Sequence, residues 1–177
     1  MHGIIFASLF DYARDRLGAR QASAIFDGRS YAMADSHSDE EFTNLLLRTG
    51  ARRALEMDDL LRDFGSFTAQ NTFARLYPAL FEIAGDTRSF LLTVEDRIHE
   101  LVRATIPNAE PPALYVQPGP DGGVKIEYTS PRRLCRLLEG LVLGTGLHYG
   151  EELELREVAC MLAGDRACRF EVRTSLG

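Results

Sequence analysis

Three prolines within six residues, in the run Pro107-Asn108-Ala109-Glu110-Pro111-Pro112, constrain this chain more than any other feature. Each proline removes a backbone donor and restricts the residue before it, so a helix cannot pass through. Upstream, apolar residues recur at helical spacing. Downstream, glycines and alternating patterns take over. The spacing predicts helices near 3–17, 20–26, 38–49, 56–74, 76–84 and 87–105. Ser38 with Glu41 three positions on is a capping-box signature, and Pro78 marks a helix start. Residues 27–33 read as a loop. Strands are expected at about 113–118 and 123–129, joined by the hairpin signal Gly119-Pro120-Asp121-Gly122-Gly123. A helix over about 131–147 follows, with Leu134, Leu137, Leu138, Leu141 and Val142 on one stripe. Its Gly140, Gly144 and Gly146 permit close approach to a neighbour. Two more strands, about 151–161 and 167–173, flank the turn at 163–166. The expected class is α+β. A helical lobe over 1–106 is joined to a lobe over 107–177 with a small antiparallel sheet and a helix, all in one domain over 1–177.

The chain has 177 residues, 45% apolar and 26% charged, enough to bury one core and too apolar for a disordered tail. Its net charge of −6 argues against nucleic acid as a partner. No apolar run reaches the roughly 18 residues of a membrane span. The opening Met-His-Gly-Ile-Ile-Phe lacks the basic front of a secretory signal, and Asp11 and Asp15 soon follow. A cytoplasmic location is expected. There a reducing environment keeps Cys135, Cys160 and Cys168 as thiols or metal ligands.

Three constellations could carry chemistry. Side chains two apart share a strand face, so Val124, Ile126, Tyr128, Ser130 and Arg132 have matching parity. That face begins apolar and ends in a phenol, a hydroxyl and a guanidinium. Such a set suits an amphiphilic ligand with carboxylates at one edge, because arginine holds a carboxylate with two parallel bonds. It also suits a strand end fraying into solvent. His99 lies at the edge of the helical stripe Leu91, Val94 and Ile98, where a neutral imidazole can enter an apolar cavity and ligate a metal. A satisfied core histidine has the same pattern. The three cysteines bracket a hairpin and a helix start. Zinc would need a fourth ligand, for which Glu157 and His148 are candidates. Three buried thiols are the plainer reading. No phosphate loop, nucleophile elbow or His-Glu-x-x-His is present, so the chain is not expected to be an enzyme.

Taken in order, these residues resemble the H-NOX family of haem nitric oxide/oxygen-binding domains. The opening Met-His-Gly-Ile-Ile-Phe, the stretch Ile98-His99-Glu100 followed by the proline run, and Tyr128-x-Ser130-x-Arg132 carry the resemblance. It implies a b-type haem between the two lobes, with His99 as axial iron ligand. Tyr128, Ser130 and Arg132 would hold the propionates, and Pro112 would press on the porphyrin. Ile5, Leu9 and Leu137 would form the distal wall. Oxygen-binding members carry a distal tyrosine where this chain has Leu137, so NO and CO are the expected ligands and O2 is excluded. NO would weaken the bond from iron to His99 and shift the lobes. The resemblance also implies signalling to a separate histidine kinase or cyclic-di-GMP enzyme. Some members bind zinc through three cysteines and a histidine. Cys135, Cys160 and Cys168 are similar, but Glu157 stands in the histidine's place. The C-terminal part also resembles vinyl-reductase-like small-molecule-binding domains, which would make the chain a haem-free binding or thiol redox module.

Overall fold

Helix α1 (Gly3–Leu17) begins where His2 Nδ1 accepts the Ile4 amide at 3.2 Å, and ends at Gly18, whose φ of 85° suits only glycine without strain. The computed structural model describes residues 1–105 and 109–175. Helix α2 (Ala19–Ile25) folds back beside α1. Helix α3 (Asp39–Arg53) is capped by Ser38, whose hydroxyl accepts the Glu41 amide. Acids in its first turn and Arg52 and Arg53 in its last complement its dipole. Helix α4 (Met57–Phe67) runs into a π-helical stretch, Thr68–Phe73, in which Ala74 N–H reaches Ala69 O. Short helices α5 (Ala74–Leu76) and α6 (Pro78–Ala84) follow.

Helix α7 (Thr87–Val94) is capped by Asp86, whose carboxylate accepts the Ser89 amide at 2.6 Å. A single π turn, Glu95–His99, carries it into α8 (Glu100–Thr105). The expected helix over 87–105 is therefore continuous but locally widened, with Glu100 N–H bonded to Glu95 O. The boundary expected at 106 and 107, with Asn108, lies outside the described residues.

The sheet has strands β1 (Ala113–Pro118), β2 (Val124–Thr129), β3 (Leu153–Ala159) and β4 (Cys168–Thr174). Their order is β1-β2-β4-β3, antiparallel throughout, and the class is α+β as expected. Val124, Ile126 and Tyr128 point inward while Lys125, Glu127 and Thr129 face out. Cys168, Phe170 and Val172 continue the inner face on β4. The outer face carries ion pairs such as Arg156 with Glu171 at 2.6 Å and Arg173 with Glu154 at 2.8 Å.

Helix α9 (Cys135–Tyr149) starts four residues later than the expected 131. Residues 131–134 form a turn instead, closed by Arg133 N–H to Ser130 O, with Arg133 left-handed at φ 50°. Helix α9 joins two hydrophobic clusters. Leu137 packs in the cluster of α1, α3 and α4, whereas Leu138 and Val142 pack with the inner face of the sheet.

Contact between α4 and α9 is backbone to backbone. A Cβ at Gly65 would meet Leu137 O, one at Gly140 would meet Arg62 O, and one at Gly144 would lie 2.5 Å from Ser66 O. The expected use of Gly140 and Gly144 is thus met by α4, while Gly146 abuts the Leu153 side chain. Gly140→Ala gains helix propensity of about 1 kcal/mol. It collides with main chain that cannot rotate away, so we expect net destabilisation of about 1–3 kcal/mol in urea denaturation.

Candidate functional site

A cavity of 270 Å³ lies where α1, the π-helical stretch, the α7–α8 helix, the strand ends and α9 meet. Its walls are mostly apolar. Ile4 and Ile5 come from α1, Ala69 and Phe73 from the π-helical stretch, and Leu137 and Leu141 from α9. The glycine contacts that draw α9 onto α4 also bring these leucines into place. Buried hydroxyls fix the neighbouring stretch, with Ser8 Oγ bonded to Thr68 Oγ1 at 2.8 Å and Thr72 Oγ1 at 2.9 Å.

His99 lines this cavity together with Val94, Ile98 and Val102. Its side chain is 14% exposed, and Nδ1 lies 2.8 Å from Glu95 Oε2. Burial pushes the imidazole pKa below its ordinary value, against the opposing pull of Glu95, and so favours the neutral ring. The same Glu95 oxygen accepts the Leu114 amide at 3.1 Å, and Arg103 pairs with the other.

Tyr128, Ser130 and Arg132 line the same cavity, as do Pro111 and Pro112. Tyr128 is buried in mid-sheet on β2, paired with Leu114 and Cys168. Its oxygen accepts the Leu134 amide at 3.1 Å, and burial raises its pKa, keeping the phenol protonated. Ser130 Oγ accepts the Arg132 amide at 3.2 Å. Arg132 does not hang free as at a frayed strand end. Nε donates to Asp39 Oδ1 at 2.9 Å and Oδ2 at 2.8 Å, and Nη1 donates to Glu110 O at 2.6 Å. Asp39 stands in the first turn of α3, and nothing in its neighbourhood signals a partner 93 positions away.

The structure brings Ile5 and Leu137 to the cavity but not Leu9. Leu9 sits one turn further along α1, fully enclosed in the helical core with Phe6 and Tyr12. Leu9, expected on the distal wall, thus does not line this cavity. An apolar hollow with one buried neutral imidazole and a phenol, hydroxyl and guanidinium at its polar rim can hold a large, flat, carboxylate-bearing ring.

A second cluster lies between the inner face of the sheet and the start of α9. One ligand atom each from Cys135, Glu157, Cys160 and Cys168 all fall within 4.8 Å of one another. Cys135 Sγ is 3.8 Å from Cys160 Sγ, and Met161 N–H donates to Cys168 Sγ at 3.2 Å. Glu157 Oε2 pairs with Arg136 at 3.0 Å, while buried Oε1 has no partner. Burial and the neighbouring sulfurs push the Cys135 thiol up to about 12. His148, the other candidate fourth ligand, packs on Phe81 with ring centroids 4.6 Å apart and is not in the group.

An H-NOX protein from S. oneidensis in its Fe(II)NO ligation state superposes with a TM-score of 0.90 at 25% identity, covering 99% of this chain and 100% of that one. The Fe(II) unliganded H-NOX protein from K. algicida gives a TM-score of 0.83 at 23% identity, covering 100% and 98%. An oxygen-binding H-NOX domain related to soluble guanylate cyclases, in its oxygen complex, gives 0.87 at 20% identity, covering 99% and 96%. The latter two likenesses establish the fold alone. Among curated protein sequences none matches. The model of the Haem-NO-binding family, HNOB, matches residues 2–157, and the chain belongs to that family.

Proposed function

We propose that this protein is a haem-based sensor of NO and CO that signals to a separate protein. The observation that carries the reading is the buried imidazole of His99 in an apolar cavity whose rim holds Tyr128, Ser130 and Arg132. The donor set fits b-type haem. A ring nitrogen serves iron, two hydroxyls and a guanidinium serve propionates, and aliphatic walls serve the macrocycle. Ferrous haem, when bound, supplies the iron that takes the gas.

The chain's own residues do the rest. Arg132, Ser130 and Tyr128 would anchor the haem's acidic edge, and Pro112 would press on its face. Leu137 and Ile5 would offer a gas at their stretch of the wall no hydrogen bond, and this is the basis for proposing NO and CO over O2. A change in how His99 holds the group would be passed to the α7–α8 helix that carries it, and from there to the relative position of the two lobes. The energy for that shift is the difference in gas affinity between the two conformations. A histidine kinase or a cyclic-di-GMP enzyme is the partner class we propose. Among the described residues no helix is long and apolar enough to cross a membrane.

The test is the optical spectrum of the purified, reduced protein before and after NO, CO and O2. Expected are a ferrous Soret band, shifts with NO and CO, and no stable oxygen complex. His99→Gly should lose the ferrous spectrum, and its retention would overturn the assignment. Arg132→Ala should weaken haem binding up to about 10-fold, less than a whole charge-assisted hydrogen bond because Arg132 already bonds Asp39 and the Glu110 carbonyl. Haem titration of the apoprotein measures it. Leu137→Tyr should lengthen the lifetime of an oxygen complex, followed by stopped-flow absorbance.

The reading includes a zinc ion on Cys135, Cys160, Cys168 and Glu157. Zinc–sulfur bonds of about 2.3 Å in tetrahedral geometry put ligand sulfurs about 3.8 Å apart. The Cys135–Cys160 separation of 3.8 Å meets that spacing, and the unpartnered Glu157 Oε1 is a spare donor. Binding would displace protons that the cysteines otherwise keep. Metal analysis should find one zinc per chain and none in Cys160→Ser. Iron without zinc would remove the ion from the reading. Zinc without iron would replace the sensor by a haem-free module.

A further inference from the structure

We propose that Glu95 is the positioning residue of His99: its carboxylate fixes the ring's tautomer and, through that hydrogen bond, sets the strength of the iron–histidine bond. The proposal rests on His99 being the iron ligand, as argued above, and adds a determinant of how firmly that ligand holds.

Glu95 and His99 stand four residues apart at the two ends of the single π turn. That spacing lays one side chain over the other on a helix face. The result is His99 Nδ1 at 2.8 Å from Glu95 Oε2. A carboxylate only accepts hydrogen bonds, so Nδ1 must carry the proton. In a neutral ring the lone pair is then on Nε2, the nitrogen left to face a ligand. An anionic acceptor on Nδ1–H pushes electron density through the ring and makes Nε2 a stronger donor to a metal.

The carboxylate is itself held from three sides. Oε2 also accepts the Leu114 amide of β1 at 3.1 Å, and Oε1 is paired with Arg103 of α8. Glu95 therefore cannot swing away from the ring without releasing β1. Leu114 follows Pro112 by two residues, and both line the cavity. One carboxylate thus joins the histidine to the strand that follows the proline run. How firmly His99 would hold the iron is therefore set in part by this contact.

Two variants separate the roles. Glu95→Gln keeps an acceptor oxygen but removes the charge; Glu95→Leu removes both. Resonance Raman of the ferrous, ligand-free protein reads the iron–histidine stretch. It is expected to move to lower frequency in Glu95→Gln and further in Glu95→Leu. Haem transfer to apomyoglobin should be about 10-fold faster or more from Glu95→Leu, the usual loss when a partner of a metal-bound histidine is removed. Nitrogen-15 NMR of the imidazole in the apoprotein supplies a reading free of haem. His99 should carry its proton on Nδ1 in the parent and in Glu95→Gln, and mix tautomers in Glu95→Leu. An unchanged iron–histidine stretch in the folded Glu95→Gln protein, or a proton on Nε2 in the parent apoprotein, overturns the proposal. A ferrous spectrum that survives His99→Gly strikes at the sensor reading instead and leaves the tautomer result standing.

Discussion

Two helices touching through bare backbone hold the rest of this structure in place. Gly65 on α4 and Gly140 and Gly144 on α9 bring main chains so close that any side chain there would overlap a carbonyl or its neighbours. Helix α9 then commits its leucines to both sides of the molecule. Leu137 packs with the helical cluster and Leu138 with the sheet, while both line the cavity with Leu141. A cavity made at such a junction takes its shape from the relative position of the helical elements and the sheet. A change at its wall is therefore felt by both, the mechanical property a sensor requires.

The polar rim works on a different principle. Arg132 joins residues far apart in sequence, since its guanidinium rests on Asp39 of α3 and on the Glu110 carbonyl. A ligand carboxylate arriving at this rim meets a guanidinium that already has partners. It gains only what exceeds those bonds, and half-exposed Asp39 is the partner most readily returned to water. Tyr128 differs. Its place in mid-sheet and its bond to the Leu134 amide hold the phenol without any carboxylate, so its orientation precedes the ligand.

Much of the architecture was legible because its causes are local. Alternation in Val124, Ile126 and Tyr128 defined β2 to within one residue, and the glycine-rich turn defined its hairpin. The start of α9 was misplaced by four residues because arginine is not a residue type that signals a left-handed backbone, yet Arg133 adopts one. Motif order singled out His99, Tyr128, Ser130 and Arg132, and all four line one cavity, although composition alone did not distinguish a fraying strand from a binding rim. Leu9, which the family resemblance put on the distal wall, lies in the helical core one turn from Ile5, and nothing in the local sequence marks where along α1 the cavity ends and solid core begins. Asp39 was invisible for the reason long-range ion pairs generally are: nothing in the local sequence marks a partner on another element. Glu95 was within reach, since a carboxylate four residues before a histidine is a helical neighbour.

The hold of Glu95 on the Leu114 amide bears on solubility as well. Strand β1 is a sheet edge, and edges with free amides invite a strand from another chain. Here one edge donor is already spoken for by a side chain. The opposite face of the sheet is crowded with paired charges that a dry second layer would have to strip of water. The hydrogen bond next to the histidine therefore also discourages the molecule from growing a fifth strand at a neighbour's expense.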